Sequence, residues 1–464
     1  MPLKSHMKIL LINPPARRVQ NEGIIVPPLG LMYIGATLKK AGFDVKIKDA
    51  FAERMSWESF TDYIKKARPD IMGIGGMSPT IDTSMQAIKI ARPYTKYIIM
   101  GGPHISLYKQ KIFDMCSEID FGVIGEGEET TLELIRALDQ GNFIDGINGV
   151  ITADIQNNRR ELIRHIDTIS FPNRQMVPHR LYRYPLLKNR YVTTMFTSRG
   201  CPYHCTFCDK STFGSIWRPR SVENILSEIE EIINYYHIKS IIFYDDLFTL
   251  NKQRVISLCE GILKQGYRFD WKCEGRVNLV DLEMLKLMKR AGCSIIAYGA
   301  ESGNQIGLDY LNKKTETGDI RRAFLLTQKA GIRTIAYFIL GIPVESYGDE
   351  LNTIEFAKEI KPTYAQFSIL SPYYGTEVYD DAVQRGWYRE IDAQNPTDKD
   401  FKRPVIICDN WDIDRLQSIL KTAHYRFYFR LKYIVRMILS IRSVNQLLSH
   451  IREFFTIIFW MKSR

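Results

Sequence analysis

The feature that most constrains the fold of this chain is an alternation of short β-rich runs with amphipathic helical patterns near its N-terminus. The runs "KILLINPP", "DVKIKDA", "DIMGIGG", "YIIMGG" and "FGVIGEGE" are strand candidates, and apolar residues spaced three or four apart recur between them. Such alternation predicts crossover units and a parallel sheet that helices cover on both faces. Ligands of such sheets bind beyond the carboxyl ends of the strands. Those ends are small or polar here, so a large ligand could approach the backbone closely.

A second alternating series begins with "YVTTMFTS" and continues through "SIIFYDD", "FDWKCEG", "SIIAYGAE", "TIAYFILG" and "AQFSILS". Six strand–helix units over about 190 residues predict a partial (β/α)6 barrel of the TIM type rather than a complete eight-unit barrel. Irregular, proline-containing sequence separates the two series. We therefore predict an α/β protein with four parts: a doubly wound, Rossmann-like domain (1–145), a linker (146–190), the partial barrel (191–385) and a helical C-terminal region (386–464).

Composition excludes several classes of protein. Apolar residues make up 45% and charged residues 25% of the 464 residues, as in ordinary globular proteins. Eight cysteines, five of them scattered, are too few for a disulfide scaffold of this length and indicate a reducing, cytoplasmic setting. The N-terminus lacks the apolar run and cleavage site of a secretory signal. No run approaches the roughly 18 apolar residues that cross a bilayer.

The net charge of +11 is concentrated near the C-terminus, where "HYRFYFRLKYIVRMILSIR" interleaves cations with aromatic and aliphatic residues. Two interpretations remain open. The segment could form a helix pair packed on the protein body, or it could lie along the inner face of a membrane as a peripheral contact. No nucleic-acid-binding motif is recognisable, so we expect no nucleic-acid partner.

Three of the eight cysteines are spaced C-x-x-x-C-x-x-C directly after the first strand candidate of the second series: Cys201, Cys205 and Cys208. Thiolates so spaced bind zinc or iron–sulfur clusters, and structural zinc takes four protein ligands. No fourth ligand stands at a plausible local spacing, since His204 lies within the crowded turn itself. The triplet therefore favours a [4Fe-4S] cluster in which three thiolates leave one iron open for a further ligand. A zinc site completed by a distant residue is the alternative.

The triplet resembles the signature of radical S-adenosylmethionine (radical SAM) enzymes, in which the open iron binds the methionine end of SAM. The resemblance extends along the barrel strands. "FYDDLF" resembles the motif that meets the SAM amino group, "EGRVN" places a cation for the SAM carboxylate, "YGAESG" carries a ribose contact, and "FILGIPVES" resembles the stretch behind the adenine. The SAM-binding candidates that this resemblance implies are Asp245, Asp246, Arg276, Glu301, Gly341 and Pro343. Each alone could equally be a helix cap or a surface residue.

The N-terminal segments "LLINPP", "MGGPHIS" and "GVIGEGEETTLELIRAL" look like the cobalamin-binding domain that precedes one radical SAM subgroup. The chain resembles the anaerobic magnesium-protoporphyrin IX monomethyl ester cyclase group and the class B, cobalamin-dependent radical SAM methyltransferases. The candidate cobalamin contacts lie at the carboxyl ends of the predicted strands: Asn13, Pro14, Ser78, Thr80, Gly101, Gly102, His104, Gly125 and Glu126. A degenerate domain that binds no cofactor is the alternative.

One departure concerns the lower face of the cobalt. Cobalamin domains of the methionine-synthase kind carry D-x-H-x-x-G after the first strand, whereas residues 13–23 read "NPPARRVQNEG" and contain no histidine. We therefore expect no histidine of this loop to bind cobalt. His104 is a substitute candidate, although a histidine in a G-G-P-H turn favours a local hydrogen bond.

The resemblance implies an anaerobic enzyme that methylates an unactivated carbon of a hydrophobic or other small-molecule substrate, through a 5′-deoxyadenosyl radical and methylcobalamin. Cofactors carry such chemistry because no protein acid or base can break an unactivated C–H bond. An oxidative cyclase without methyl transfer is the alternative within the family, and a non-catalytic cobalamin- or redox-responsive binding protein is the alternative of another class. The expected partners are an electron donor such as ferredoxin or flavodoxin and a small-molecule or lipid-like substrate.

Overall fold

The N-terminal alternation forms a six-stranded sheet in the computed structural model, which describes residues 7–15, 23–390 and 404–440, the last five by backbone only. The strands lie in the order β2-β1-β3-β4-β5-β6. The first five are mutually parallel, and β6 pairs antiparallel with β5 at the edge. Their bounds are β1 (Lys8–Asn13), β2 (Asp44–Asp49), β3 (Ile71–Gly75), β4 (Tyr97–Gly101), β5 (Phe121–Val123) and β6 (Val150–Ile151).

Helices cover both faces of this sheet, and the alternation within β1 shows why. Leu10 and Ile12 point into one apolar cluster, whereas Ile9 and Leu11 point into the other. Each face is buried, so the strand is apolar throughout, as parallel sheets require. The covering helices are α1 (Leu29–Lys40), α2 (Trp57–Ala67), α3 (Ile81–Ala91), α4 (Pro103–Tyr108), α5 (Lys111–Met115) and α6 (Gly127–Gln140).

The strand order reverses between β1 and β3, which lie side by side although β2 separates them in the chain. In doubly wound sheets a ligand enters at such a reversal, beyond the carboxyl ends of the strands. The ends that meet there are Asn13 and Gly75, and Gly101 follows beside Gly75 at the end of β4. The topology therefore brings three of the small or polar strand ends together at one edge.

The chain divides into two compact units. The first contains the N-terminal sheet, the residues up to Tyr184, and the segments Asn189–Pro202 and Asp209–Asp246. It thereby includes two strands of the second series, which pair in parallel, and a short antiparallel hairpin. These elements are β7 (Thr193–Met195), β8 (Ser198–Arg199), β9 (Arg218–Pro219), α7 (Val222–Glu230) and β10 (Ser240–Phe243), with β7 pairing to β10 and β8 to β9.

The second unit contains Pro185–Lys188, Tyr203–Cys208 and the chain from Leu247 onward. Four of its strands run parallel in chain order: β11 (Asp270–Gly275), β12 (Cys293–Glu301), β13 (Arg333–Leu340) and β14 (Tyr364–Ile369). The helices between and after them are α8 (Lys252–Lys264), α9 (Leu282–Arg290), α10 (Gln305–Tyr310), α11 (Thr317–Lys329), α12 (Tyr347–Glu359) and α13 (Glu377–Gln384).

A terminal region completes the second unit as far as it is described. It comprises a two-stranded antiparallel ribbon, β15 (Tyr388–Arg389) and β16 (Val405–Ile406), and the helices α14 (Ile413–Tyr428) and α15 (Leu431–Ser440). In α14, Phe427 packs on Phe367 of β14, and the hydroxyl of Tyr428 donates to the carbonyl oxygen of Ala365. The first helix of the basic tail therefore packs on the protein body, as one of the two interpretations proposed.

The predicted α/β class is confirmed, with six parallel strands after the linker, two in the first unit and four in the second. Among the described residues, no helix is both long and apolar enough to cross a membrane. Part of the predicted C-terminal region, 391–403 and 441–464, lies outside the described residues, as does 16–22 of the loop after β1.

Candidate active site

Two aspartates that follow β10, Asp245 and Asp246, hold the segment that precedes the cysteine motif. Asp245 is buried, and its carboxylate accepts from the backbone N–H of Thr197 (2.6 Å) and from the hydroxyl of Ser198 (2.6 Å). Asp246 accepts from the N–H of Gly200 at 3.0 Å. Both aspartates predicted as SAM contacts thus position the chain that leads into Cys201.

Only glycine fits at position 200, because a side chain would be strained and would collide there. Its φ is +82°, and an added Cβ would lie 2.3 Å from the carbonyl oxygen of Ile216. Asp246 beside it is exposed, yet the surrounding protein still desolvates its carboxylate and raises the pKa, while the Gly200 hydrogen bond opposes that rise. The negative charges of Asp245 and Asp209 raise the pKa of Asp246 further. This end of the motif therefore favours a cationic group near Asp246.

The rest of the motif is anchored in the second unit. The N–H of Cys208 donates to the carbonyl oxygen of Cys205 (3.1 Å), which closes a tight turn. Between the two cysteines, Thr206 donates through its N–H to the carbonyl oxygen of Leu311 at 3.1 Å. The amide of Asn312 donates to the carbonyl oxygen of His204 at 2.6 Å. These hydrogen bonds fix the turn through its backbone.

The three motif cysteines differ from most of the other five. Cys201 and Cys205 are partly exposed and Cys208 is exposed, whereas four of the remaining five are buried: Cys116, Cys259, Cys273 and Cys293. Thiol donors that solvent and ligands can reach suit an iron–sulfur cluster. Within the described ranges, no group of three or more His, Cys, Asp and Glu side chains is arranged to hold a metal ion. The fit of the cluster therefore rests on the donor chemistry of the loop.

Arg276, which follows β11, lies against this loop. Its guanidinium stands over the ring of Tyr203, 3.7 Å from the centroid, and its Nη1 is 4.0 Å from the Sγ of Cys205. The side chain is buried, its Nε donates to Asn278 (3.1 Å), and its Nη2 has no hydrogen-bond partner among the described residues. A buried N–H group without a partner is costly. Because a carboxylate would satisfy it, the geometry suits the predicted contact with the SAM carboxylate.

Glu301 ends β12 in an unusual backbone conformation. Its φ is +63°, and the register with β13 shifts at this point. The buried carboxylate pairs with the ammonium group of Lys313 at 2.5 Å, and that ammonium group also lies 5.8 Å from the ring centroid of Phe207 in the motif. A side chain on Gly299 would collide with this pair. Strain of this kind is typical of functional positions.

The stretch after β13 is shaped by backbone contacts. Gly341 has a φ of +76°, and its N–H donates to the Oε1 of Glu350 at 2.6 Å. The indole N–H of buried Trp411 donates to the carbonyl oxygen of Ile342 (3.0 Å), and the carbonyl oxygen of Pro343 accepts from an asparagine amide after β16. Trp411 therefore packs against this stretch and supports its backbone. Nothing in the sequence predicts that Trp411 supports the segment expected to lie behind the adenine.

The cobalamin candidates cluster at the edge where the strand order reverses, but several already have partners. The amide of Asn13 donates to buried Asp49 (2.8 Å), which also accepts from the hydroxyl of Tyr182. Burial raises the pKa of Asp49. Gly102, at a φ of +98°, approaches the backbone of Gly76 so closely that a Cβ would lie 2.9 Å from its oxygen. Pro14 and Thr80 are partly exposed at the same edge.

His104 is almost fully buried and makes the local hydrogen bond expected of its turn. Its Nδ1 lies 3.0 Å from the hydroxyl of Ser78, and its ring stacks on Tyr108 with 4.2 Å between centroids. Desolvation lowers the pKa of His104 to about 4, so the imidazole is neutral at physiological pH. Its Nε2 has no hydrogen-bond partner in the described part of the chain. A buried, neutral and unsatisfied nitrogen fits a polar ligand at this edge.

Glu126 lies in a buried ion-pair network that sequence reasoning missed. Its Oε1 is 2.7 Å from Nη1 of Arg199, and its Oε2 is 2.7 Å from Nη1 of Arg218 and accepts from the N–H of Ile163. Arg199, two residues before Cys201, also pairs with Glu128 at 2.5 Å. The partners are more than seventy residues apart in the chain, so no local pattern could reveal them. The network ties the loop after β5, which also contains Gly125, to the entry of the cysteine motif.

Comparison with known proteins agrees with this arrangement. Residues 195–357 match the Radical SAM superfamily, and residues 19–135 match the B12 binding domain. An uncharacterized methyltransferase of Pyrococcus horikoshii is 33% identical over 439 residues, which cover 93% of this chain and 94% of that protein. The anaerobic magnesium-protoporphyrin IX monomethyl ester cyclase of Cereibacter sphaeroides is 28% identical over 369 residues, covering 76% of this chain and 60% of the relative.

Among solved structures, the radical SAM methyltransferase TsrM from Kitasatospora setae, with cobalamin and a [4Fe-4S] cluster bound, superposes with a TM-score of 0.71. The alignment covers 91% of this chain and 88% of TsrM at 17% identity, so it supports the fold. The same assignment follows from the two matched domains, from a relative that is similar over nearly its full length, and from the shared fold. The chain belongs to the cobalamin-binding radical SAM superfamily, whose cofactors are a [4Fe-4S] cluster, SAM and cobalamin.

Proposed function

We propose that this protein is a radical SAM C-methyltransferase that transfers a methyl group to an unactivated carbon of a hydrophobic or other small-molecule substrate. The observation that carries the proposal is the buried guanidinium of Arg276, whose Nη2 lacks a partner in the described structure while its Nη1 lies beside the Sγ of Cys205. When bound, the cluster and SAM supply a hydrogen-abstracting radical and cobalamin supplies the methyl group.

The residues of this chain would bind and orient those groups. Cys201, Cys205 and Cys208 would hold the cluster by their thiolates, and Arg276 would bind the SAM carboxylate. Asp246 would attract the SAM amino group, since its carboxylate is reachable whereas that of Asp245 is occupied by the loop. Charged hydrogen bonds of this kind contribute roughly 1.5–3 kcal/mol each.

Two further stretches would complete the SAM site, and the cobalamin site would lie in the N-terminal sheet. Glu301 would bind the ribose, and Gly341–Pro343 would back the adenine. Cobalamin would bind at the carboxyl edge of β1, β3 and β4. The unsatisfied Nε2 of His104 would there contact a polar group of the cofactor.

The test is an anaerobic assay of cobalamin-loaded protein with SAM that carries a trideuterated methyl group. Candidate substrates are lipids, tetrapyrroles and peptides, and product mass is the readout. We expect 5′-deoxyadenosine together with a product that gains a labelled methyl group. The variant Cys205→Ala should abolish both, whereas Cys408→Ala, a cysteine outside the motif, should retain both. Formation of 5′-deoxyadenosine by the Cys205 variant would contradict the cluster assignment.

An oxidative cyclase is the second candidate, because an anaerobic cyclase is among the similar proteins. The same assay separates the two reactions, since cyclisation changes the substrate mass without adding label. A non-catalytic, cobalamin-responsive protein would bind the cofactors and form no 5′-deoxyadenosine. Reduction of the cluster needs a cytoplasmic, low-potential donor of the ferredoxin or flavodoxin type, which would be identified by its support of turnover.

The C-terminal helices support a peripheral membrane contact at the inner face. On α15, Leu431 is 76% and Val435 46% exposed, and Lys432 lies between them. Exposed apolar side chains flanked by cations are typical of interfacial helices. The double variant Leu431→Asp, Val435→Asp should lose co-sedimentation with anionic vesicles, whereas Val383→Asp on α13 should not. Equal sedimentation of both variants would exclude this contact.

A further inference from the structure

A loop without regular secondary structure, residues 209–217, leads from the cysteine motif to β9. It contains two buried polar atoms that have no hydrogen-bond partner in the described part of the chain, Nζ of Lys210 and Oγ1 of Thr212. A buried polar group without a partner costs free energy, and a buried charge costs more. Such groups are rare in folded proteins, so two of them within three residues require an explanation.

The loop lies against the carboxyl edge of the N-terminal sheet, within the first unit. The hydroxyl of Ser211 donates to the carbonyl oxygen of Pro103, which follows β4, at 3.4 Å. After β5, a Cβ added to Gly125 would lie 4.0 Å from the carbonyl oxygen of Thr212. The loop therefore lies beside the ends of β4 and β5, at the edge where the cobalamin candidates cluster.

Other contacts hold the backbone of the loop in this position. Nη2 of Arg159 donates to the carbonyl oxygen of Ser211 at 2.6 Å, and the N–H of Ser211 donates to the carboxylate of Asp209 at 2.6 Å. The N–H of Gly214 donates to the carbonyl oxygen of Lys210 at 3.0 Å, which closes a turn. The loop is thus fixed without either of the two unpartnered side-chain atoms.

A third unpartnered atom belongs to the same edge. Nε2 of His104 is buried and has no hydrogen-bond partner among the described residues, and His104 directly follows Pro103. Because Ser211 contacts Pro103, the loop brings Lys210 and Thr212 to the part of the edge that contains this imidazole. Three buried polar atoms without partners in this part of the first unit indicate a ligand that carries several polar groups.

The charges around Lys210 indicate which kind of group would satisfy its ammonium. Burial raises the pKa of Asp246, and the negative charges of Asp245 and Asp209 raise it further. The positive charge of Lys210 opposes that rise, so its ammonium lies near these carboxylates. Arg159 supplies a second cation against the loop backbone. These groups together have no excess of positive charge for an anionic ligand, so neutral acceptors such as amide oxygens suit the ammonium best.

We propose that residues 209–217 form one wall of the cobalamin site, where Lys210 Nζ and Thr212 Oγ1 donate hydrogen bonds to amide oxygens at the rim of the corrin ring. The ring carries acetamide and propionamide side chains around its edge, which are neutral acceptors of the required kind. The inference rests on the proposed cobalamin site. It extends that site to residues outside the segment that matches the B12 binding domain, 19–135.

The test is equilibrium dialysis of anaerobically reconstituted, cluster-containing protein against hydroxocobalamin and against cobinamide, which keeps the corrin amides but lacks the nucleotide and its phosphate. Lys210→Met should weaken the binding of both ligands about ten- to hundredfold, because a charged hydrogen bond is lost. Thr212→Val should weaken both about two- to tenfold, because a neutral hydrogen bond is lost. The control Lys65→Met, at an exposed position on α2, should bind both ligands as wild type does.

A purely structural role for these side chains predicts a different result in protein free of cobalamin. Each substitution removes a buried polar atom that has no partner there, so the thermal unfolding midpoint should stay level or rise. A clearly lower midpoint in both variants would show that the side chains support the fold, and it would overturn the proposal even if binding were weaker.

Two binding results would also overturn the proposal. Unchanged binding of both ligands would remove the loop from the site, and weaker binding of cobalamin alone would move the contact to the nucleotide phosphate. Failure of the cobalamin site itself would look different, because wild type would then bind neither ligand. In that case the proposed site would be wrong, and this inference with it.

Discussion

Two roles for Glu126, a contact to the ligand and a structural ion pair, can be distinguished by experiment. The sequence places it among cobalamin candidates, whereas in the structure its two oxygens meet Arg199, Arg218 and the N–H of Ile163. The Arg199 and Glu126 side chains are each 3% exposed. We predict that Glu126→Gln destabilises the first unit, because an amide nitrogen would face one arginine and leave that buried cation unpaired.

The size of the expected destabilisation follows from the burial of the ion pair. Removing one partner of a buried ion pair costs about 3–5 kcal/mol. The Glu128 carboxylate still faces Arg199 at 2.5 Å, which places our expectation near the lower end. The matched control is Glu129→Gln in the first turn of α6, three residues after Glu126, where the side chain is 59% exposed and 3.9 Å from Arg160. Exposed pairs contribute about 0–1 kcal/mol.

The assay is hydrogen–deuterium exchange of peptides from β5 and α6 in protein free of cobalamin, followed by cobalamin titration. A loss of 3 kcal/mol corresponds to roughly a hundredfold faster exchange where opening of the unit limits it. We expect that change in Glu126→Gln and almost none in Glu129→Gln. Unchanged exchange together with weakened cobalamin binding would show that Glu126 contacts the cofactor, and the network reasoning would be wrong.

Three further predictions follow from single positions. Arg276→Gln should weaken SAM binding about ten- to hundredfold in equilibrium dialysis, because a charged hydrogen bond of about 1.5–3 kcal/mol is lost; unchanged binding would remove Arg276 from the site. Gly341→Ala should lower the free energy of unfolding by about 1–3 kcal/mol in thermal unfolding, since φ is +76° and the added Cβ would lie 2.4 Å from a side chain of α14. The control Gly318→Ala should leave it unchanged, because there is open space around Gly318. Because the pKa of His104 is lowered to about 4, the free energy of unfolding should fall as the pH drops from 6.5 toward 4. In urea unfolding, His104→Gln should reduce this pH dependence. The control His165→Gln, at an exposed position, should keep the wild-type pH dependence.

Much of the fold was predictable because its signals are local. Apolar runs that end in glycine or proline predicted the parallel strands, and each strand from β1 to β4 lies within its predicted run. The cysteine triplet was equally visible, since its three thiols stand within one loop. Residues that follow strand ends could be placed at the carboxyl edges of the sheets, because parallel strands present those edges together.

Side-chain partners were not predictable in the same way. Asp245 and Glu126 were recognised as chemically important, but their hydrogen-bond partners Thr197 and Arg199 are set by tertiary packing.

The sequence by itself determined the α/β architecture and, through motifs that resemble a known family, the class of cofactors and the cysteine loop proposed to bind the cluster, because periodicity and motif spacing are properties of neighbouring residues. Only the tertiary structure decided which polar groups have partners and which do not. Burial converts that difference into free energy, since a charge or an N–H group without a partner is tolerated in water and costly inside a protein. Arg276 acquires its proposed role in this way, through surroundings that distant segments of the chain supply.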